Sequence, residues 1–251
     1  MFIVDDISKF ECLINTVLVR PLRSNDQILI DGDKALYIDT SFEKMFHAPV
    51  VGVVAAVPSQ LYFKKGKMPH NSLDWETEME LEVGDIVNYH FLDIRTAIEQ
   101  DDYVLCDGKI YYPIRYDRIF CAKRKLPPGN ITITAGGNFV TGDDGIYKVI
   151  MLNGYILASP VEKKIETQLM IPDSMKGRHD ARYGIVRFSG SCNKRYRNFY
   201  PPDDPRIENG MLIILDHVCD IKLEYDLHAS FDGSATYFRV ERRNIQGFIK
   251  L

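Results

Sequence analysis

Residues 183–190 read YGIVRFSG, an apolar and β-branched run that has the length of a β-strand and ends in glycine. Similar runs recur along the 251-residue chain, and Gly, Pro, Asn and Asp separate them. They are TVLVRPL at 16–22, VVGVVAAV at 50–57, GDIVNYHF at 84–91, KIYYPIRY at 109–116, GYILASPV at 154–161, GMLIILDHV at 210–218 and ATYFRV at 235–240. Short strands separated by turn residues predict an all-β sandwich or barrel with little helix.

The charged segment WETEMELEV at 75–83 is the main candidate for a helical turn. Its glutamates, however, occupy every second position from 76 to 82. A period of two places alternate side chains on opposite faces, which favours a half-exposed strand over a helix. We therefore expect a low helix content in this segment as well.

The strand-like runs form two similar sets. Five pairs of segments match in the same order, with offsets between 125 and 133 residues. The pairs are 36–41 with 169–174, 51–54 with 183–186, 83–87 with 209–213, Asp107-Gly108 with Asp232-Gly233, and 118–119 with 244–245. One such match means little, whereas an ordered set is hard to obtain by chance. The set predicts two copies of one β-unit. The alternative is the strand–turn rhythm that all β-proteins share.

The two sets are separated by KLPPGNITITAGGNFVTGDDG at 125–145, which is rich in turn residues. Two short strand-like pieces lie within it, at 131–134 and 139–141. Turn residues on both sides of short strands are typical of a connection between domains. We interpret 1–124 as the first domain, 125–148 as a linker with turns, and 149–251 as the second domain.

The second set also carries motifs at its start and its end. GYILASPVE is followed by the polar KKIETQ, the apolar triplet Leu169-Met170-Ile171 and the strand GIVRFSG at 184–190. Asp232-Gly233 precedes Tyr237 and Asn244-Ile245 near the end, and LEVGDIV stands at 81–87 in the first set. These motifs resemble those of the GroES-type co-chaperonins, the chaperonin-10 family. The similarity covers nearly all of 150–251 and extends more weakly over 12–124.

The resemblance implies two tandem, partly open GroES-like β-barrels, as in the tandem co-chaperonins of chloroplasts or the divergent ones of bacteriophages. It implies a co-chaperonin that caps an ATP-dependent, GroEL-type chaperonin ring and assists protein folding. Apolar triplets on mobile loops make the contact in that family. The residues that match are Leu169, Met170 and Ile171 in the second set and Leu36, Tyr37 and Ile38 in the first.

An apolar triplet on a polar loop binds only weakly by itself. Burying three apolar side chains contributes a few kcal/mol at about 25 cal/mol per Å². Ordering the loop offsets much of this gain. Useful affinity therefore requires several loops presented together. We expect a homo-oligomeric ring.

Each triplet also has a second interpretation. The segment 169–171 has the composition of a short core strand, and Ile28-Leu29-Ile30 competes with 36–38 as the exposed triplet. The glycine pair that precedes the tripeptide in the family is replaced by Thr167-Gln168 and Lys34-Ala35. These replacements, with 14 Tyr and 13 Phe suited to permanent contacts, favour the alternative function. That alternative is a non-catalytic structural or assembly protein, such as a phage virion or ring component.

The motifs of catalysis are missing from the sequence. Its six histidines and five cysteines do not have metal-ligand spacing, and it contains no GxSxG or P-loop. Gly136-Gly137 does not open a dinucleotide motif, because no helical pattern follows it. We therefore predict neither an enzyme nor a metal or other cofactor.

Composition also bears on partners and location. A net charge of -4 argues against nucleic acid as a partner, although an oligonucleotide-binding barrel that uses Tyr and Arg remains a third possibility. No apolar run is long enough to cross a membrane. The acidic Asp5-Asp6 is unlike a signal peptide, and the scattered cysteines suit reduced thiols. We expect a cytoplasmic protein, in the host cytoplasm if it is viral.

Overall fold

The computed structural model describes residues 1–22, 27–30, 34–37, 49–63, 72–128, 137–142, 144–162, 179–196, 202–216 and 237–251. Within these residues, strands β1 to β18 are Phe2–Ile3, Thr16–Pro21, Gln27–Ile30, Lys34–Tyr37, Val51–Ala56, Trp75–Glu76, Ile86–Tyr89, Val104–Cys106, Lys109–Arg115, Ile119–Lys125, Phe139–Gly142, Gly145–Met151, Tyr155–Glu162, His179–Phe188, Arg195–Tyr196, Leu212–Leu215, Phe238–Glu241 and Ile245–Ile249. In the same described ranges, the α-helix α1 spans Phe91–Glu99, and three 3-10 turns span Ile7–Lys9, Tyr116–Arg118 and Arg242–Asn244. The prediction of a mostly β protein with little helix is confirmed for this part of the chain.

Two large sheets contain most of the strands. One has nine strands in the order β1-β8-β9-β2-β5-β7-β10-β12-β11, and the other has five in the order β17-β13-β14-β16-β18. Two further pairs, β3 with β4 and β6 with β15, form small two-stranded sheets. Neither large sheet closes on itself through the strands described above.

Five neighbouring strands of the larger sheet repeat the whole of the smaller one. We call β9-β2-β5-β7-β10, residues 16–125, the first copy, and β17-β13-β14-β16-β18, residues 155–249, the second copy. Corresponding neighbours pair antiparallel in both. A 3-10 turn precedes the last strand of each copy. The two sets of strands recognised in the sequence therefore have the same strand order.

The pair β2–β5 of the first copy and the pair β13–β14 of the second copy have the same register. Pro21 of β2 lies opposite Gly52 of β5, and Pro160 of β13 lies opposite Gly184 of β14. The glycines are 132 residues apart, which confirms the offset read from the sequence at this point. In both copies the register shifts between the third and the second residue before the proline.

The turn before the third strand is also repeated. Gly84 and Gly210, 126 residues apart, both have a positive φ, of 95° and 87°. Their N–H groups donate to the carbonyls of Val54 and Val186, at 2.9 and 2.8 Å. Glycine is required because a side chain at this φ would be strained. The offset of 126 predicted here is confirmed.

Residues assigned to the linker extend the first sheet. β12 pairs antiparallel with β10, with Cys121 opposite Met151 and Lys125 opposite Tyr147. β11 in turn pairs with β12 as a hairpin. This segment is therefore in the sheet of the first copy rather than a connection alone.

Three of the four apolar clusters among the described residues follow this arrangement. One fills the first copy, around Val17, Val87 and Ile114, and another fills the second, around Ile156, Ile213 and Val240. A third joins them, and its buried members are Phe120, Cys121, Val149, Met151, Leu157, Phe188 and Tyr237. Among the described residues, none of the helical segments is long and apolar enough to cross a membrane.

Candidate functional site

The two connections that carry the predicted triplets occupy equivalent positions. One joins β2 to β5, and the other joins β13 to β14, so each links the first two strands of its copy. The triplet Leu169-Met170-Ile171 belongs to the second connection and lies outside the described residues. Because β2–β5 and β13–β14 are corresponding strand pairs, the two connections begin and end at equivalent places in the two copies.

The first connection contains a β-hairpin. Leu36 and Tyr37 belong to β4, where Leu36 lies opposite Ile28 and Tyr37 opposite Gln27 of β3. Ile38 falls just beyond the described strand. From the sequence, Ile28-Leu29-Ile30 is the alternative to 36–38 as the exposed triplet. The backbone pairing brings these two apolar segments together as the arms of one hairpin.

The junction between the copies is organised around Asn153, which the sequence did not single out. Its Nδ2 donates to the carbonyls of Tyr116, at 2.6 Å, and Ile119, at 3.0 Å. Its Oδ1 accepts from Nε1 of Trp75 at 3.1 Å. Asn153 is buried and has a φ of 55°, a left-handed conformation that Asn tolerates better than most residues. This turn, just before the second copy, is therefore bonded into the first.

An aromatic contact strengthens the same junction. The guanidinium carbon of Arg239 in β17 lies 3.7 Å from the ring centroid of Phe120 in β10 and 5.5 Å from that of Tyr155 in β13. The two rings meet edge to face, with centroids 5.3 Å apart. A cation over an aromatic face is attracted by the ring quadrupole, and partial burial strengthens this attraction. Arg239 thus connects the last strand of the first copy with the second copy.

The alternating glutamates of 76–82 partly face the second copy. The carbonyl of Glu76 accepts the N–H of Lys194 at 2.9 Å, and the side chains of Glu78 and Lys194 form an ion pair. Ser191 Oγ donates to Glu80 Oε1 at 2.7 Å. The contact with Lys194 lowers the pKa of the Glu78 carboxyl, whereas burial raises that of Glu80. The predicted strand is short, since only Trp75–Glu76 pairs, as β6 with β15.

Burial favours the protonated form of the Cys12 and Cys121 thiols. Cys12, Cys106 and Cys121 are buried, and Cys192 is half-buried; all four are free. Burial raises the pKa of the Cys12 thiol to about 11 and that of Cys121 to about 12. A thiol rather than a thiolate is a poor nucleophile and metal ligand. In the described part of the chain, no group of three or more His, Cys, Asp or Glu could hold a metal ion.

No model of a known protein family matches this chain, and no curated protein matches it either. The structural repeat and the junction are therefore the main guides to function. The Asn153-Gly154 pair was the available sequence signal for the junction, because Asn-Gly is typical of tight turns. Its partners Trp75 and Tyr116 are distant in the chain, so local patterns could not identify them.

Proposed function

We propose that this protein is a co-chaperonin built from two GroES-like units, which caps an ATP-dependent chaperonin ring and assists protein folding. One observation carries the proposal. The connection between the first two strands of each copy bears an apolar triplet, and the two copies share strand order and register. The chain would then present two similar binding segments from equivalent positions.

The residues around the second triplet suit a binding loop. Lys163, Lys164 and Glu166 precede Leu169-Met170-Ile171, so the segment is polar on its N-terminal side. A polar segment buries little apolar surface of its own, which leaves its triplet for a partner groove. Two such segments in one chain, multiplied around a ring, would supply the avidity that one triplet lacks.

The junction supports the proposal through preorganisation. Asn153 and Arg239 bond the two copies together through buried contacts. A fixed relation between the copies would fix the spacing of the two connections. Binding two sites at fixed spacing avoids part of the entropy cost of ordering them separately.

The test is retention on an immobilised GroEL-type chaperonin, with and without ATP. The test variant carries Leu169→Ser, Met170→Ser and Ile171→Ser together. The matched control is Ile98→Ser, which removes an exposed apolar side chain from α1, 53% exposed and distant in sequence from both triplets. We expect ATP-dependent retention of the wild type and the control, and a loss of at least about tenfold for the triple variant, equivalent to about 1.4 kcal/mol.

A second variant, Leu36→Ser with Tyr37→Ser, measures the contribution of the first connection. A smaller loss is expected, because the paired hairpin already orders this segment. Equal retention of the wild type and the triple variant would rule out the triplet mechanism. No retention of the wild type would rule out the co-chaperonin itself.

The second candidate is a structural or assembly protein without chaperonin contact. It is favoured by the last strand of the second copy, β18, which has a described neighbour on one side and carries the exposed Ile249. A surface of that kind suits permanent association between subunits. A chain that assembles but is not retained by a chaperonin would support this candidate.

A further inference from the structure

A cleft separates strand β11, at the end of the larger sheet, from strand β14 of the second copy. Its volume is about 470 Å³, and residues 139–141 of β11 and 186–188 of β14 form its two walls. Sites for small ligands usually have volumes of roughly 300–1,000 Å³. The cleft therefore has room for a small ligand or for a few residues of a peptide.

The β11 wall offers backbone groups to a ligand. Among the described strands, β11 has one neighbour, β12, and Thr141 lies opposite Ile146 of that strand. The carbonyl of Ile146 accepts the N–H of Leu126 at 2.9 Å, so it points toward β10 and away from β11. Backbone groups of an antiparallel pair alternate in direction, so the N–H and C=O of Thr141 point away from β12. Both groups can pair with another extended chain.

One end of the cleft is closed by Asn138, which precedes β11. Its Nδ2 donates to the carbonyl of Ser189, which follows β14. Its Oδ1 accepts from Nδ2 of Asn209, in the turn before β16, at 2.8 Å. The two walls are therefore joined at this end. An extended segment that lies along β11 would meet this closed end and would have to terminate there.

The floor of the cleft is apolar and rigid. Phe188 and Tyr237 are buried members of the cluster that joins the two copies, and Val140 packs against the same cluster. The two rings meet edge to face, with centroids 5.9 Å apart. Aromatic side chains in this arrangement provide a large apolar surface of fixed shape. An apolar side chain of a ligand can be buried against this floor.

Arg187 gives the cleft its charge. Among the described residues that line the cleft, only Arg187 is charged. Its side chain is exposed, and within the described part of the chain it forms no ion pair. A guanidinium binds a carboxylate through two parallel hydrogen bonds, which are stronger than bonds between neutral groups. The charge of the cleft therefore suits a ligand with a carboxylate.

We propose that this cleft binds the C-terminal end of an extended, apolar peptide. The peptide pairs with the backbone of Thr141 as an additional strand beside β11, and its terminal carboxylate binds Arg187. An apolar side chain near its end packs on the floor formed by Phe188 and Tyr237. An open sheet edge that supplies backbone bonds and a pocket that supplies specificity are a recurrent combination in peptide recognition. This site goes beyond the proposed function, since it uses neither the triplets nor a chaperonin.

Fluorescence anisotropy of a labelled peptide tests the proposal on the full chain without a chaperonin. The probe is Thr-Val-Thr-Val-Val with a fluorophore at its N-terminus and a free carboxylate at its C-terminus. The matched probe is the same peptide with a C-terminal amide. We expect saturable binding of the free acid, and a Kd at least about tenfold higher for the amide, because a hydrogen-bonded charge is lost.

Arg187→Gln should raise the Kd of the free acid by about tenfold and leave that of the amide unchanged. The combination of two peptides and two proteins isolates the contact between guanidinium and carboxylate. Arg182→Gln is the matched control, because Arg182 is an exposed arginine of the same strand that does not line the cleft. It should bind both peptides as the wild type does.

Strand pairing is tested at Thr141. Thr141→Pro removes the N–H that points away from β12 without removing a bond to β12, and proline is tolerated at such edge positions. It should raise the Kd of the free acid by roughly fivefold, whereas Thr141→Val keeps the N–H and should bind as the wild type does. Thr141 and Arg187 are exposed, so far-UV circular dichroism should be the same in all variants.

Three results would overturn the proposal. One is the absence of saturable binding of the free acid up to about 1 mM protein, the limit of a weak specific site. Another is an equal Kd for the two peptides, and the third is an unchanged Kd in both Arg187→Gln and Thr141→Pro. The variant with Leu169→Ser, Met170→Ser and Ile171→Ser should bind the free acid as the wild type does. Loss of chaperonin retention would thus leave this site standing, and loss of peptide binding would leave the proposed function standing.

Discussion

The two copies share one backbone arrangement, but different buried side chains make the equivalent hydrogen bond in each copy. Tyr116 and Arg242, 126 residues apart, begin the two equivalent 3-10 turns, and both are buried. Tyr116 Oη donates to the carbonyl of Glu78 at 2.9 Å, and Arg242 Nη1 donates to that of Asp204 at 3.0 Å. The two acceptors are again 126 residues apart. The repeat therefore preserves the hydrogen bond, whereas the residue that makes it has changed from a phenol to a guanidinium.

The largest expected effect comes from removing the charged member of this pair. Arg242 also donates to the carbonyls of Ile207, at 3.1 Å, and Gly190, at 2.9 Å. Arg242→Met leaves several carbonyls without their donor and should lower the free energy of unfolding by about 3 kcal/mol. Tyr116→Phe removes one hydrogen bond and should cost about 1 kcal/mol.

Urea unfolding followed by circular dichroism measures both changes. Arg206→Met is the control, because this arginine is exposed and its removal should have little effect on the midpoint. Similar losses for Arg242→Met and Tyr116→Phe would mean that the two residues contribute equally. The proposed difference between the copies would then be wrong.

The glycines opposite the two prolines provide a second comparison. A Cβ at Gly52 would clash with Val19 Cγ1 and would lie 2.7 Å from the carbonyl oxygen of Arg20. At Gly184 the nearest atom is the Cβ of Ala158, at 3.0 Å. Gly52→Ala should therefore cost about 2 kcal/mol, and Gly184→Ala less than about 1 kcal/mol.

The same measurement of unfolding by urea distinguishes the causes of this cost. Combining Gly52→Ala with Val19→Ala gives the first copy the small residue that the second has at Ala158, and part of the loss should be recovered relative to Val19→Ala alone. The part of the lost stability that is not recovered measures the clash with the backbone carbonyl of Arg20, because no change of side chain can remove that atom. Equal costs for the two glycine variants would contradict this account.

The sequence predicted those features of the repeat that local patterns encode. Strand-length apolar runs and turn glycines, such as Gly84 and Gly210, gave the β content and the offset of 126 residues. The offset of 139 residues between Pro21 and Pro160 in the first strands was missed, because few residues there are identical. The pairing of β12 with β10 was missed for a different reason. Pairing between strands depends on long-range contacts, and Asn153 forms its bonds with residues 34 and 37 positions away.

The helix α1 was not predicted, because the apolar run that forms β7 continues into the helix. GDIVNYHF predicted one strand over 84–91, but β7 ends at Tyr89 and α1 begins at Phe91. His90 separates them by accepting the N–H of Leu92 on its Nδ1, at 3.2 Å. Histidine is not among the residues that usually cap a helix, so no start signal for α1 stands in the sequence. The triplets were recognised by resemblance, and their contacts lie mostly outside the described residues.

The helix also gives the two copies different responses to pH, which is the smallest of the three expected effects. Asp93 of α1 is half-buried, and its Oδ2 accepts no hydrogen bond from the described residues. Burial raises the pKa of Asp93 from 3.8 to about 6; Arg118 and Arg115 oppose this rise and Asp117 adds to it. The second copy has Cys219 at the offset of 126, so this carboxyl belongs to the first copy alone.

The direction of the pH effect follows from proton binding. Because the pKa of Asp93 is higher in the folded chain than in the unfolded chain, folding binds a proton and the contribution of Asp93 to stability is complete below about pH 4. It is lost as the pH rises through about 6, where the half-buried carboxyl group of Asp93 ionises. Asp93→Asn removes this titration and should flatten the unfolding free energy between these values, whereas Asp102→Asn, at an exposed carboxyl next to the helix, should follow the wild type. A wild-type profile retained in Asp93→Asn would mean that water reaches this carboxyl freely, and Asp93 would then make no difference between the two copies.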